Sequence, residues 1–240
     1  MTEMTSETIA SSDAPVMDSV LANVIRRIHE GKLRPSDQLP GENELAREFN
    51  VARSSIREAF KALESLGILE TAVGKRARVG KLNGEVLAVL MNNAVETMQV
   101  SVQQTLDLRR TLEMRTARIA ALRRSAADLA DIEAAAKEMR QVSGNLDLMA
   151  SADIRFHVAI ARATGNPLYS VLIESFEVVM HKTCPIGWNS RSTAAQRASV
   201  FDMHDAIAGA IRQQDATAAE IAMAMHFDNT VQALISAGVA

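Results

Sequence analysis

The chain has 240 residues, a formal net charge of -3, one cysteine and 3% aromatic residues. Its length permits one large domain or two modest ones, burying roughly 70% of the extended-chain surface. With Cys184 alone, an intrachain disulfide and a cysteine-rich metal site are both excluded.

No apolar run reaches the roughly 18–20 residues of a membrane span, and residues 1–18 lack the apolar core of a signal peptide, so the expected location is cytoplasmic. Residues 20–82 carry 12 Lys or Arg against 8 Asp or Glu, while the rest carries 14 against 21. That asymmetry suggests a nucleic-acid-binding piece joined to a piece with another task.

Residues 1–15, rich in Ser, Thr, Glu and Ala, read as a flexible arm. From Val16, the positions Val20, Leu21, Val24, Ile25 and Ile28 follow helical spacing, and Gly31 with Pro35 ends the element. Pro40 and Gly41 precede a short helix over 42–49, with Leu45 and Phe49 on one face. Asn50 and Val51 form the turn. The next helix turns Ile56, Phe60, Leu63 and Leu66 inward, stops at Gly67, and has Ser54 or a small polar neighbour as its expected cap.

Arg53 and Arg57 share a face near its N-terminal end, where a guanidinium can fork onto guanine O6 and N7 or onto phosphate. Ser54 and Ser55 can reach phosphate or a base edge. The alternative for either arginine is a salt bridge on a solvated face. Two apolar runs around Gly74, Lys75 and Arg76 predict a small β hairpin with a basic tip, able to enter a minor groove or touch phosphates.

Asn83 and Gly84 mark a joint, with a connecting helix over 81–94. Residues 95–240 then read as helices over 102–122, 126–142, 146–163, 168–182, 193–213 and 216–237. The breaks fall at Ser125, Gly144-Asn145, Gly165-Asn166-Pro167, Pro185–Gly187 and Gln214-Asp215. Few aromatics and 12 Met favour a helical bundle over a sheet. Asp153 and His157, four apart, project from one helical face, and His204 and His226 sit in later apolar-periodic helices. From spacing alone, such histidines are either satisfied core residues or convergent metal ligands.

The run Gly31-Lys-Leu-Arg-Pro-Ser-Asp-Gln-Leu-Pro-Gly-Glu-Asn-Glu-Leu-Ala46 and the run Val51-Ala-Arg-Ser-Ser-Ile-Arg-Glu-Ala-Phe60 resemble the winged helix-turn-helix domain of the GntR family of bacterial transcription regulators. The second half resembles the all-helical FCD effector domain of its FadR subfamily. The residues that carry this are Asp153, His157, His204 and His226, Phe156-His157 ahead of Gly165-Asn166-Pro167, and Leu106-Asp-Leu-Arg-Arg-Thr-Leu-Glu113.

The resemblance implies a mostly α protein: a winged helix-turn-helix with a small β hairpin over 16–80, a connecting helix over 81–94, and an all-α bundle over 95–240 that binds effector and metal. It implies DNA contacts from Asn43, Arg53, Ser54, Ser55, Arg57, Lys75 and Arg76. The metal site would be Asp153, His157, His204 and His226, holding a divalent ion, zinc first and nickel or manganese next. Arg109 becomes the cationic effector-binding residue, with an internal bridge to Glu113 as its alternative, and Asn229, three residues past His226, is a second effector-binding candidate from its position. Asn43 stands where many relatives have Arg, and Arg76 where they have a second Gly, so the operator is expected to depart from the commonest pattern.

The implied function is a homodimeric regulator without enzyme activity. It would be a repressor on a palindromic double-stranded DNA operator, released by a small organic acid such as a sugar acid, hydroxy acid or dicarboxylate. A transcriptional activator of the same architecture is the alternative. A metal-dependent hydrolase is a further one, for which no second Glu stands out as general base.

Overall fold

The computed structural model describes residues 13–239 and divides them between Leu82 and Asn83 into two units. Most of the expected N-terminal arm lies outside the described residues, and its last part is already helical: α1 runs Asp13–Glu30. It turns Val20, Val24 and Ile28 into the first core.

Two short helices follow, α2 (Glu42–Glu48) and α3 (Arg53–Ser65), and then an antiparallel pair, β1 (Leu69–Glu70) and β2 (Arg78–Val79). Leu69 pairs with Val79 and Glu70 with Arg78. The free side of β2 takes bonds with residues 36–39, among them Leu39 N–H to Ala77 O at 2.8 Å. Leu39, Leu45, Ile56, Leu63 and Leu69 are fully buried and lock helices and hairpin into one core.

The turn between α2 and α3 follows from Asn50. It adopts φ 53, a left-handed conformation that Asn tolerates better than most side chains. Asn50 N–H then bonds to Arg47 O and Val51 N–H to Ala46 O, closing the orphan carbonyls of α2. Gly67, at φ 69, repeats the device after α3, where Ile68 N–H bonds to Leu63 O. The expected cap of α3 is corrected: Ala52 is its N-cap, no side chain caps it, and Ser54 already lies inside the helix.

The second unit is all helical: α4 (Glu85–Glu96), α5 (Val102–Arg123), α6 (Ala126–Gln141), α7 (Leu146–Arg162), α8 (Pro167–Glu174), α9 (Glu177–Asn189), α10 (Ala194–Arg212) and α11 (Ala216–Ser236). Its helix starts are written in the sequence. Ser101, Ser125 and Thr193 form capping boxes with Gln104, Asp128 and Gln196, and Asn145, Asn166 and Asp215 cap α7, α8 and α11. Gly84 starts α4 close against α8, where a Cβ would stand 2.7 Å from Val171 O.

Two expected boundaries need correction. The helix expected over 168–182 breaks at Ser175 and Phe176, because Phe176 N–H takes the carbonyl of Ile173, three residues back, and the step lets the Phe176 ring bury. The break expected at Pro185–Gly187 is instead helix. Pro185 removes one donor inside α9, yet burial of Val179, Met180, Thr183 and Gly187 holds the helix through it.

Helix α7 packs against α5, α6, α8 and α9, and α11 against α5, α9 and α10. These packings bring the interior faces of α5, α7, α9, α10 and α11 together around one buried polar cluster.

Candidate functional site

In the first unit the residues expected at DNA stand on the surface. Asn43, Arg53, Ser54, Arg57, Lys75 and Arg76 are exposed, and Ser55 is half-buried. Both arginines share one acid from the preceding helix: Glu42 Oε2 lies 2.7 Å from Arg53 Nε and 3.8 Å from Arg57 Nε. Exposed bridges of this kind contribute about 0–1 kcal/mol, so a phosphate or base edge can displace the acid. Ahead of DNA, Glu42 holds both guanidinium groups together at the start of α3.

In the second unit, His157 on α7, His204 on α10 and His226 on α11 are buried, with ligand atoms all within 4.8 Å of one another. Their ring centroids are 4.7 to 5.9 Å apart. Asp153, one turn before His157, places Oδ1 2.9 Å from His204 Nε2 and 3.7 Å from His157 Nε2. Its other oxygen, Oδ2, accepts from Cys184 Sγ at 3.3 Å.

The polar partners dictate which nitrogens face inward. His204 Nδ1 donates to Val200 O at 2.7 Å, and His157 Nδ1 meets the Glu113 carboxylate, so both rings direct Nε2 into the cluster. A neutral His204 cannot donate from both nitrogens, yet Val200 O and Asp153 Oδ1 are both acceptors. An imidazolium donates to both, and a cation bound at Nε2 would take the place of that second proton. His157 Nε2 and His226 Nδ1 are buried without a hydrogen-bond partner. Three inward imidazoles beside a carboxylate are therefore a donor set that fits a divalent ion.

The titratable groups are poised for the same task. Burial holds His226 well below the ordinary histidine value, helped by His204 and His157. Burial works against the Asp153 carboxylate, but the hydrogen bond from His204 and the fields of His157 and His204 outweigh it and keep the acid strongly ionised. Glu113 is likewise penalised by burial, and Arg109 and His157 overcome this and lower its pKa. Burial and the neighbouring Asp153 push the Cys184 thiol up, which keeps it a donor.

Arg109 binds Glu113 at 2.9 Å, both side chains being buried, so the bridge named as its alternative exists, although Arg109 also lines a cavity of about 60 Å³ beside His204 and His226. Asn229 does not line that cavity. It accepts from Arg191, which does, as do Thr183, Cys184 and Trp188. An open groove of about 930 Å³ between α4, α6, α7 and α9 is larger, but its Arg155 and Arg162 pair with Glu138 and Glu174, and no histidine faces it.

Glu113 was legible only as a partner of Arg109. The signal for its deeper role is the stripe Leu106, Arg109, Glu113, Ala117 and Ala120, which sets two charges on a buried helical face. With its carboxylate committed to Arg109 and His157, Glu113 is no general base for hydrolysis.

Residues 17–79 match the family described as bacterial regulatory proteins, gntR family, and residues 104–229 match the FCD domain. The HTH-type transcriptional regulator LutR of Bacillus subtilis is 32% identical over 211 residues, covering 86% of this chain and 95% of that protein. The galactonate operon transcriptional repressor of Escherichia coli is 30% identical, over 85% and 90%. The Glc operon transcriptional activator of Escherichia coli is 29% identical, over 83% and 81%. Streptococcus agalactiae GntR shares the fold, with a TM-score of 0.67 at 24% identity over 88% of this chain and 97% of that one. These relatives are regulators, not enzymes, and among the described residues no helix is long and apolar enough to cross a membrane. The chain belongs to the GntR family of bacterial transcription regulators, with a winged helix-turn-helix followed by an FCD domain as in the FadR subfamily.

Proposed function

We propose that this regulator is a repressor that binds a palindromic operator as a homodimer in the cytoplasm and is released by a small organic acid held beside a divalent metal ion. The observation that carries the reading is the convergence of Asp153, His157, His204 and His226 next to a largely apolar cavity that also holds Arg109 and Arg191, in a chain whose other unit presents Arg53 and Arg57 on the exposed side of α3. Those four residues would hold the ion, zinc first and nickel or manganese next, which supplies a Lewis-acidic point for an anionic oxygen. Asn43, Ser54, Ser55, Lys75 and Arg76 complete the proposed DNA surface.

Size narrows the acid. Ordinary ligand pockets measure roughly 300–1,000 Å³, and this cavity, at about 60 Å³, has room for only a few heavy atoms. Short hydroxy acids are the first candidates on that scale. Activation is the second reading, favoured by the relative named as an activator. The relative named as the galactonate operon repressor supports the first.

Selection of binding sites from random duplex DNA tests the proposal. The expected product is a palindrome whose binding weakens steeply with salt, and Arg57→Ala should lose about 10- to 100-fold in affinity for it. Selected sites without two-fold symmetry, or an Arg57→Ala protein with wild-type affinity, would contradict the DNA half of the reading.

A further inference from the structure

Two guanidinium groups line the cavity beside the histidines, and they stand in different electrostatic positions. Arg109 is neutralised where it sits. Its Nε and Nη2 reach Glu113 Oε1 at 3.0 and 2.9 Å, and its guanidinium lies 5.2 Å from the centroid of the Phe227 ring. Arg191, half-buried just after α9, has no carboxylate within 4.0 Å among the described residues. Its contacts are neutral acceptors: Nη2 donates to Asn229 Oδ1 at 2.6 Å and Nη1 to Gly187 O.

A guanidinium has five N–H donors in a rigid fork suited to a carboxylate, so those two contacts fix its plane and leave donors over. Partly burying a cation that no carboxylate meets within 4.0 Å is unfavourable, and burial pulls the Arg191 pKa down, with the more distant Asp153 opposing it. The geometry points to Arg191 as the anion anchor for the acid in this cavity, with Asn229 as its positioning residue and Arg109 as support for the histidine centre. Arg191 lines the cavity and Asn229 does not, so Asn229 acts through the arginine. This inference rests on the reading of the cavity as an effector site.

The test is calorimetry and thermal shift on the full chain with glycolate, lactate and malonate, and with lactamide as the uncharged control. Wild type is expected to bind at least one acid and not lactamide. Arg191→Gln should weaken that acid at least about tenfold, and Arg191→Lys should recover part of the loss, because it keeps the charge without the fork. Asn229→Ala should weaken binding in wild type and add nothing in the Arg191→Gln background.

An unchanged Kd in Arg191→Gln overturns the anchor. If that variant loses its helical circular dichroism, the uncharged Arg191→Met decides, and a wild-type Kd there overturns it equally. Additive losses would overturn the positioning role of Asn229 by placing it on the acid directly. A wild-type protein that responds to none of the acids overturns the effector-site reading and this inference with it. Loss in Arg191→Gln alone, with wild type responding, cannot arise that way.

Discussion

At the residue scale, the polar cluster of the second unit works as a chain of supports. Arg109 neutralises Glu113, Glu113 meets His157 Nδ1, and His157 Nε2 is thereby turned toward Asp153 and the other rings. Second partners of this kind alter metal affinity by about 10–100-fold. Glu113→Gln should therefore weaken metal retention by that order in a chelator competition, although residue 113 touches no proposed metal position; unchanged retention would remove Glu113 from the account. Acid should act in the same direction. His226 in the fold has a pKa below the ordinary value of 6.5, so its contribution to stability is present above about pH 6.5 and is lost as pH falls, when proton uptake favours unfolding. Glu113, held below 4.5, adds a loss at still lower pH. Protons also compete with the ion for imidazole. Metal content after dialysis at pH 5 should be lower than at pH 7.5, with a lower Tm. The four ligand-type residues were legible from the sequence because Asp153 and His157 share a helical face and the resemblance tied in the other two. Arg191 was not, because only packing in space shows that, among the described residues, no carboxylate comes within 4.0 Å of it.

At the element scale, starts and stops were legible where a side chain encodes them. Ser101, Ser125, Asn145, Asn166, Thr193 and Asp215 cap their helices through bonds to backbone N–H groups, and such bonds depend only on local sequence. Helix α9 continues past the break its sequence predicts because tertiary burial outweighs the single donor lost at Pro185. The start of α3 carries no such signal, because the chain enters that helix through Ala52, without a side-chain bond. The turn before α3 carries a direct test. Asn50 is left-handed, so Asn50→Ala should destabilise the first unit by about 1 kcal/mol. Asn50→Gly should be neutral or slightly stabilising. Chemical denaturation of both variants reads the difference, and equal effects would place the origin of the turn elsewhere.

At the scale of the whole molecule, charge partition and the change of residue character after Gly80 were enough to separate a basic DNA-binding unit from an all-helical one. The connecting helix expected over 81–94 is α4, which belongs to the second unit through its contacts with α8 and α9. The sequence could not reveal that assignment, since α4 has no fully buried residue to mark which neighbour it prefers. Regulation requires that the two units be thermodynamically linked: an acid in the histidine-centre cavity must bind the DNA-competent and incompetent states with different affinity, and coupling of this kind is typically about 5- to 150-fold. The most direct measurement is fluorescence anisotropy of the selected operator with metal-loaded protein, with and without a saturating concentration of whichever of glycolate, lactate or malonate raises its Tm. Operator affinity should be at least about fivefold weaker with the acid, with no change in His204→Ala. Operator affinity identical with and without an acid that demonstrably binds would contradict that linkage.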